Sequence, residues 1–267
     1  MAIILRRKSD KQITIDSPSL PGASTTEPGL TTFSPGIVNN LRRLTTHLAY
    51  QGHLPDRIAM VAALRGEGVT YTTLALATTL ASDLNARVCA VELNWQSPGM
   101  QAHLAKPGET DLRRRKFFHR RKTVAVVPDT TNRSPGLSGI LTGVATLEDA
   151  LIPTILPNLV LLPAGSLPEW RRPAIARGAE LKECINYLSR IFDHVLLDIP
   201  AVLSSSDAIA LASLGSACCV VIRQGVTPIN TVRLALDDIK HIPMLGVVLN
   251  QVRIHSPNWM STFLPQE

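Results

Sequence analysis

Aromatic residues are scarce in this chain, at 4% of positions, and tyrosine occurs only as Tyr50, Tyr71 and Tyr187. The apolar content is instead Ala, Val, Leu and Ile, a mix that suits buried parallel strands and packed helices better than an aromatic-rich β-sandwich. Cysteine is sparse too: Cys89, Cys184, Cys218 and Cys219, with no C-x-x-C spacing. That excludes a zinc ribbon and a disulfide framework and points to a reduced, cytoplasmic setting. No stretch approaches the ~20 apolar residues that a membrane span needs. The opening Met1–Lys8 has an apolar stretch too short for a signal sequence, and it precedes the charges instead of following them.

What is present is an ordinary globular balance, 45% hydrophobic and 18% charged over 267 residues, enough for one sizeable core. The net charge of +6 is local. Seven Lys or Arg residues fall within Arg113–Lys122, which also holds Phe117 and Phe118. A run of one sign is commonly a solvated loop. The adjacent rings raise the alternative of docking on an anionic membrane. No nucleic-acid-reading element is visible beside it.

Residues 1–34 are rich in Ser, Thr, Pro and Gly and read as a flexible N-terminal arm. A helix is expected over 36–50, where Ile37, Leu41, Leu44 and Leu48 recur at helical spacing. Strands are expected at 57–64, 87–93, 159–162, 194–198, 217–223 and 244–249. Helices are expected at 70–84, 137–142, 147–151, 173–191, 206–214 and 228–240. Such alternation predicts an α/β fold, doubly wound, with a mostly parallel sheet covered by helices on both faces. The α/β domain spans 35–253, with a basic insertion near 106–133. Residues 254–267 form a tail without a tyrosine cluster.

Three segments carry chemistry. The turn after the first long strand reads Ala63-Leu64-Arg65-Gly66-Glu67-Gly68-Val69-Thr70-Tyr71. A phosphate-binding loop needs glycines that let backbone N–H groups face phosphate, a helix start behind them, a Lys, and a Ser or Thr for magnesium. Here the glycines, the helix start and Thr70 are present, and Val69 stands where Lys is required. The second segment is Val91-Glu92-Leu93-Asn94-Trp95-Gln96-Ser97-Pro98-Gly99. The third runs from Phe192-Asp193-His194 through Asp198-Ile199-Pro200 to Ser206-Asp207-Ala208.

In that order the three segments resemble the bacterial tyrosine kinases of capsule and exopolysaccharide export, a branch of the deviant Walker P-loop ATPases. That family's loop ends G-E-G-K-[ST]. Its second strand carries V-D-x-D-x-R-x-P-G, and its third strand ends in D-x-P-P-V-L-x-x-[ST]-D-A. Leu161–Gly165 and Leu245–Val252 match further, so the resemblance covers about 34–252. It implies that Arg65, Gly66, Glu67, Gly68, Val69, Thr70 and Tyr71 form the nucleotide loop, with Asn250 at adenine. Asp198 would be the carboxylate behind any catalysis. Thr70, Asp198 and Glu92 would be the groups near magnesium, and the cofactor would be ATP or ADP, bound weakly. Each residue also has a plainer role open to it. Asp198 could end a strand, Asp207 could start a helix, Asn250 could turn the chain, and Arg65 could be a solvated loop cation.

The departures from that pattern are specific. Val69 replaces the loop lysine, Glu92 is one methylene longer than the usual aspartate, and Asn94 and Gln96 replace a carboxylate and an arginine. The family's E-x-x-R-x-x-R ring motif survives as Asn39, Arg42 and Thr45, one of three, so the usual kinase ring does not carry over. These expectations describe a degenerate, tyrosine-kinase-like subunit, regulatory or scaffolding, in polysaccharide synthesis or export. It would lie at the inner face of the plasma membrane, against the cytoplasmic face of a membrane polysaccharide co-polymerase. An atypical active ATPase or kinase, and a partition-like positioning ATPase on membrane or DNA, remain open beside it.

Overall fold

The computed structural model describes residues 29–30, 33, 35–50, 52, 54–105 and 134–251. The basic run at 113–122, the rest of the insertion, most of the N-terminal arm and the tail lie outside the described residues.

A strand buried on both faces needs apolar side chains at every position, which is why the strands read as unbroken hydrophobic runs. β2 (Arg57–Ala62) is the clearest case, buried along its length except at Arg57. Its alternate residues face two different cores. Ile58 and Met60 pack with α1 (Pro35–Tyr50) and α2 (Val69–Asp83) through Leu41, Leu74 and Leu80. Ala59, Val61 and Ala63 face the other side, which holds Leu181, Ile185 and Leu188 of α6 (Ala179–Ile191) and Ile239 of α8 (Ile229–Ile239).

The remaining strands are β3 (Val88–Glu92), β5 (Ile152–Pro153), β6 (Leu159–Leu162), β7 (His194–Asp198), β8 (Ala217–Arg223) and β9 (Met244–Asn250). With β2 they form a seven-stranded sheet in the order β5-β6-β3-β7-β2-β8-β9. All neighbours are parallel except the β5–β6 pair. The doubly wound α/β architecture is therefore the one expected. A two-residue strand, β1 (Gly29–Leu30), pairs antiparallel with β4 (Leu104–Ala105) apart from the main sheet.

α2 is buried from Thr72 to Ala81 except at Thr78, and three of the residues it buries there are threonines. Two of its buried hydroxyls are satisfied within the helix, Thr73 donating to Val69 O at 2.9 Å and Thr79 to Ala75 O at 2.8 Å, while the buried Thr72 hydroxyl has no partner. Arg42 ties α1 to the end of α2 through Asp83 at 2.6 Å. The short helices α3 (Gly136–Leu141) and α4 (Leu147–Ala150) sit near their expected places, as does α7 (Ala208–Ala212). The helix expected over 173–191 is two: α5 (Arg172–Ala176) and α6, separated where Gly178 adopts an extended backbone at ψ 149°. Glycine is the residue most readily taken out of helical geometry, so the interruption falls there. Among the described residues, no helix is long and apolar enough to cross a membrane.

Candidate functional site

The turn joining β2 to α2 depends on two left-handed glycines, Gly66 at φ +79° and Gly68 at φ +91°. Gly68 is the N-cap of α2 and, having no side chain, leaves the start of that helix without a side-chain cap. Backbone amides at such a start, with the helix dipole behind them, favour an anion. At Gly66 a Cβ would meet open space, whereas at Gly68 it would collide with the Asn250 side chain.

Two predicted site residues turn out to brace this loop. Asn250, at the end of β9, donates from Nδ2 to Glu67 O at 2.8 Å and accepts Gln251 N–H at 2.9 Å. The buried Glu67 carboxylate accepts Leu64 N–H at 3.0 Å and the Thr227 hydroxyl. Val69 is partly buried against the α2 core, and Tyr71 meets Phe33 edge-on at 5.2 Å. An open cleft of about 960 Å³ lies beside the loop, between α1 and β9, and Gly68, Tyr71 and Asn250 line it.

The second half of the site is the C-terminal end of β7. Thr70 Oγ1 donates to Asp198 Oδ2 at 2.7 Å, while the buried Oδ1 has no partner. Burial pushes the Asp198 carboxyl up to about 7, with the neighbouring Glu92 charge adding to the rise and the Thr70 bond opposing it. An ionised carboxylate with one oxygen lacking any donor is an energetic debit that a cation could relieve.

Glu92 stands directly across from Asp198 in the β3–β7 register, and its surroundings are the opposite. Its Oε1 accepts Gly99 N–H at 2.6 Å and Met100 N–H at 2.8 Å, and its Oε2 accepts Ala164 N–H at 3.0 Å. Three backbone donors leave it the ordinary work of holding two loops together. Asn94 accepts Ser97 N–H at 3.2 Å and closes a turn. Asp207 lies 3.8 Å from Arg177 and accepts a 3.3 Å bond from Ser206.

Arg65 is not a free loop cation. Its Nη2 donates to Gln96 Oε1, and Gln96 Nε2 donates to Ser205 Oγ at 3.2 Å. Thr227 lay in none of the three segments and Ser205 at a variable position of the third, and their partners, 160 and 109 residues away, are set by tertiary packing. Among the described residues, no cluster of three His, Cys, Asp or Glu side chains could hold a metal by itself. The structure thus brings together loop, Thr70 and Asp198, with Arg65 and Gln96 above them, and sends Glu92 into the scaffold.

No family model matches the chain. The tyrosine-protein kinase CpsD of Streptococcus agalactiae is 29% identical over 124 residues, 46% of this chain and 54% of that protein. The match thus spans about half the length of that relative. The kinase domain of the Escherichia coli tyrosine kinase Etk superposes with a TM-score of 0.63 at 16% identity, covering 82% of this chain and 79% of that one. The Pyrococcus horikoshii septum site-determining protein MinD, solved with Mg-ADP, superposes at 0.53 with 22% identity, covering 79% and 77%. Over about half its length the chain is thus similar in sequence to bacterial tyrosine-protein kinases, and its fold, a mostly parallel seven-stranded sheet flanked by helices, is like that of MinD.

Proposed function

We propose that this chain is a nucleotide-binding but catalytically impaired relative of the capsule-type tyrosine kinases, serving as a regulatory or scaffolding subunit. The observation that carries the reading is Val69 at the lysine position beside an intact Thr70–Asp198 pair. A lysine–phosphate bond is charge-assisted and contributes on the order of 1.5–3 kcal/mol. Its loss weakens nucleotide binding by about ten- to a hundredfold. Chemistry suffers more, since phosphoryl transfer depends almost wholly on positioning and charge stabilisation. Asn94 cannot act as a base, and Glu92 is held by three backbone donors.

The residues present do fit a magnesium nucleotide. The uncapped α2 amides suit phosphate, the Thr70 hydroxyl suits the cation, and the orphaned Asp198 oxygen faces a deficit that a cation would fill. Bound magnesium would supply the positive charge that Val69 does not. The setting follows the relatives: polysaccharide synthesis or export, beside the cytoplasmic face of a membrane co-polymerase. The basic run at 113–122 would make anionic membrane contact, which liposome flotation of a deletion variant tests.

Calorimetric titration with Mg-ATP, alongside a phosphate-release assay, tests the central reading. The unmodified chain is expected to bind weakly without turnover, and Val69→Lys to bind about ten- to a hundredfold tighter. Robust magnesium-dependent turnover by the unmodified chain, lost in Asp198→Ala, would establish the second reading, an atypical working ATPase or kinase. The Arg65 contact is the observation that favours that alternative.

A further inference from the structure

β7 lies between β2 and β3 in the sheet, so the turns that follow β2 and β3 are separated by the C-terminal end of β7. Arg65 belongs to the first of those turns and Gln96 to the second. Their hydrogen bond therefore crosses above the point where Asp198 ends β7 and meets Thr70. Arg65 itself lies three residues before Gly68, the N-cap of α2, which has no side-chain cap.

The choice of partner matters. A carboxylate holding Arg65 would neutralise it, and among the described residues Arg65 makes no ion pair. Gln96 is neutral, so the guanidinium is positioned with its charge uncompensated. Gln96 is itself fixed by Ser205, which in turn accepts Asp207 N–H at 3.4 Å. One of five guanidinium N–H groups is used in the bridge, and a planar fork with donors to spare suits a phosphate oxygen pair.

We propose that Arg65, positioned by Gln96, contacts the terminal phosphate of a bound nucleoside triphosphate and so lets the loop tell triphosphate from diphosphate. The inference rests on the nucleotide-binding reading above. Arg65 is the binding residue, and Gln96 acts through it.

Mg-ATP and Mg-ADP affinities measured by calorimetry for the unmodified chain, Arg65→Ala, Arg65→Lys and Gln96→Ala test this. Arg65→Ala should lower ATP affinity about ten- to a hundredfold and leave ADP affinity within about twofold. Arg65→Lys should recover part of the ATP affinity, because it keeps charge and loses the fork. Gln96→Ala should show the same ATP-selective loss at smaller size, with the ligand-free melting temperature unchanged. Equal losses for both nucleotides, or no loss for either, would overturn the assignment while leaving nucleotide binding intact. Failure of the unmodified chain to bind either nucleotide would sink the underlying reading and this inference together.

Discussion

Replacing Asp198 with Asn isolates the energetic cost of holding a carboxylate in a dry place with one oxygen unpaired. The folded chain holds the proton up to about 7, against an ordinary value of 3.8. Below the ordinary value both folded and unfolded chains are protonated, and this group penalises nothing. As pH rises from there the unfolded chain releases its proton while the folded one retains it, so stability falls until about 7 and then levels. A difference of about three units at 1.36 kcal/mol each amounts to roughly 4 kcal/mol. Asp198→Asn keeps an oxygen to accept from Thr70 and never ionises. In the ligand-free state it should match the unmodified chain near pH 4 and exceed its stability at pH 8 by up to about 4 kcal/mol. Urea unfolding of both forms between pH 4 and pH 8 measures the gap. Paired carboxylates such as Asp193, held low by its bonds to Arg87, contribute the opposite slope to both forms and cancel in the difference. Two parallel stability curves would refute the reasoning.

Gly68→Ala should destabilise the chain by about 2–4 kcal/mol in urea, from left-handed strain plus loss of the Asn250–Glu67 bond. Gly66→Ala, where a Cβ meets open space, should cost only ~1–2 kcal/mol, and equal losses at the two positions would remove the steric role of Asn250. Glu92→Gln puts an amide N–H₂ toward a backbone donor and should cost about 2–3 kcal/mol of stability with magnesium affinity of the folded chain unchanged. Loss of magnesium affinity at unchanged stability would return Glu92 to the metal site.

The fold was legible because parallel strands buried on both faces advertise themselves. Leu159–Leu162, His194–Asp198 and Ala217–Arg223 are apolar runs of strand length, and their ends coincide with the strands observed. The two-residue strand Ile152–Pro153 was not legible, since a pair of residues has no period. Nor was the break after Ala176, where Ile175, Leu181, Ile185 and Leu188 keep an apolar stripe running across the gap. In the site, Gly66, Gly68, Thr70 and Asp198 could be read because loop and strand end are local patterns. The duties of Glu67, Glu92 and Asn250 could not. Their partners are Thr227, the amides of Gly99, Met100 and Ala164, and the Glu67 carbonyl, all set by tertiary packing.

Glu92 and Asp198 form a controlled comparison within one molecule. They are opposed in register on adjacent strands, both are buried, and both carry a carboxylate. The scaffold explains the first completely, since each of its oxygens meets backbone donors and an apolar residue there would strand three N–H groups. It does not explain the second, where Thr70 serves one oxygen and the other has nothing. A buried carboxylate left half-satisfied is stabilised only when something arrives, and a cation carried by a phosphate ligand is what the uncapped α2 amides next to it would bring. Val69 argues with equal force in the other direction, because an aliphatic side chain packed against the helix core contributes nothing to a transferring phosphoryl group. Under the function proposed, the Thr70–Asp198 pair serves capture of the ligand, while Val69 withholds a charge that both capture and phosphoryl transfer would use.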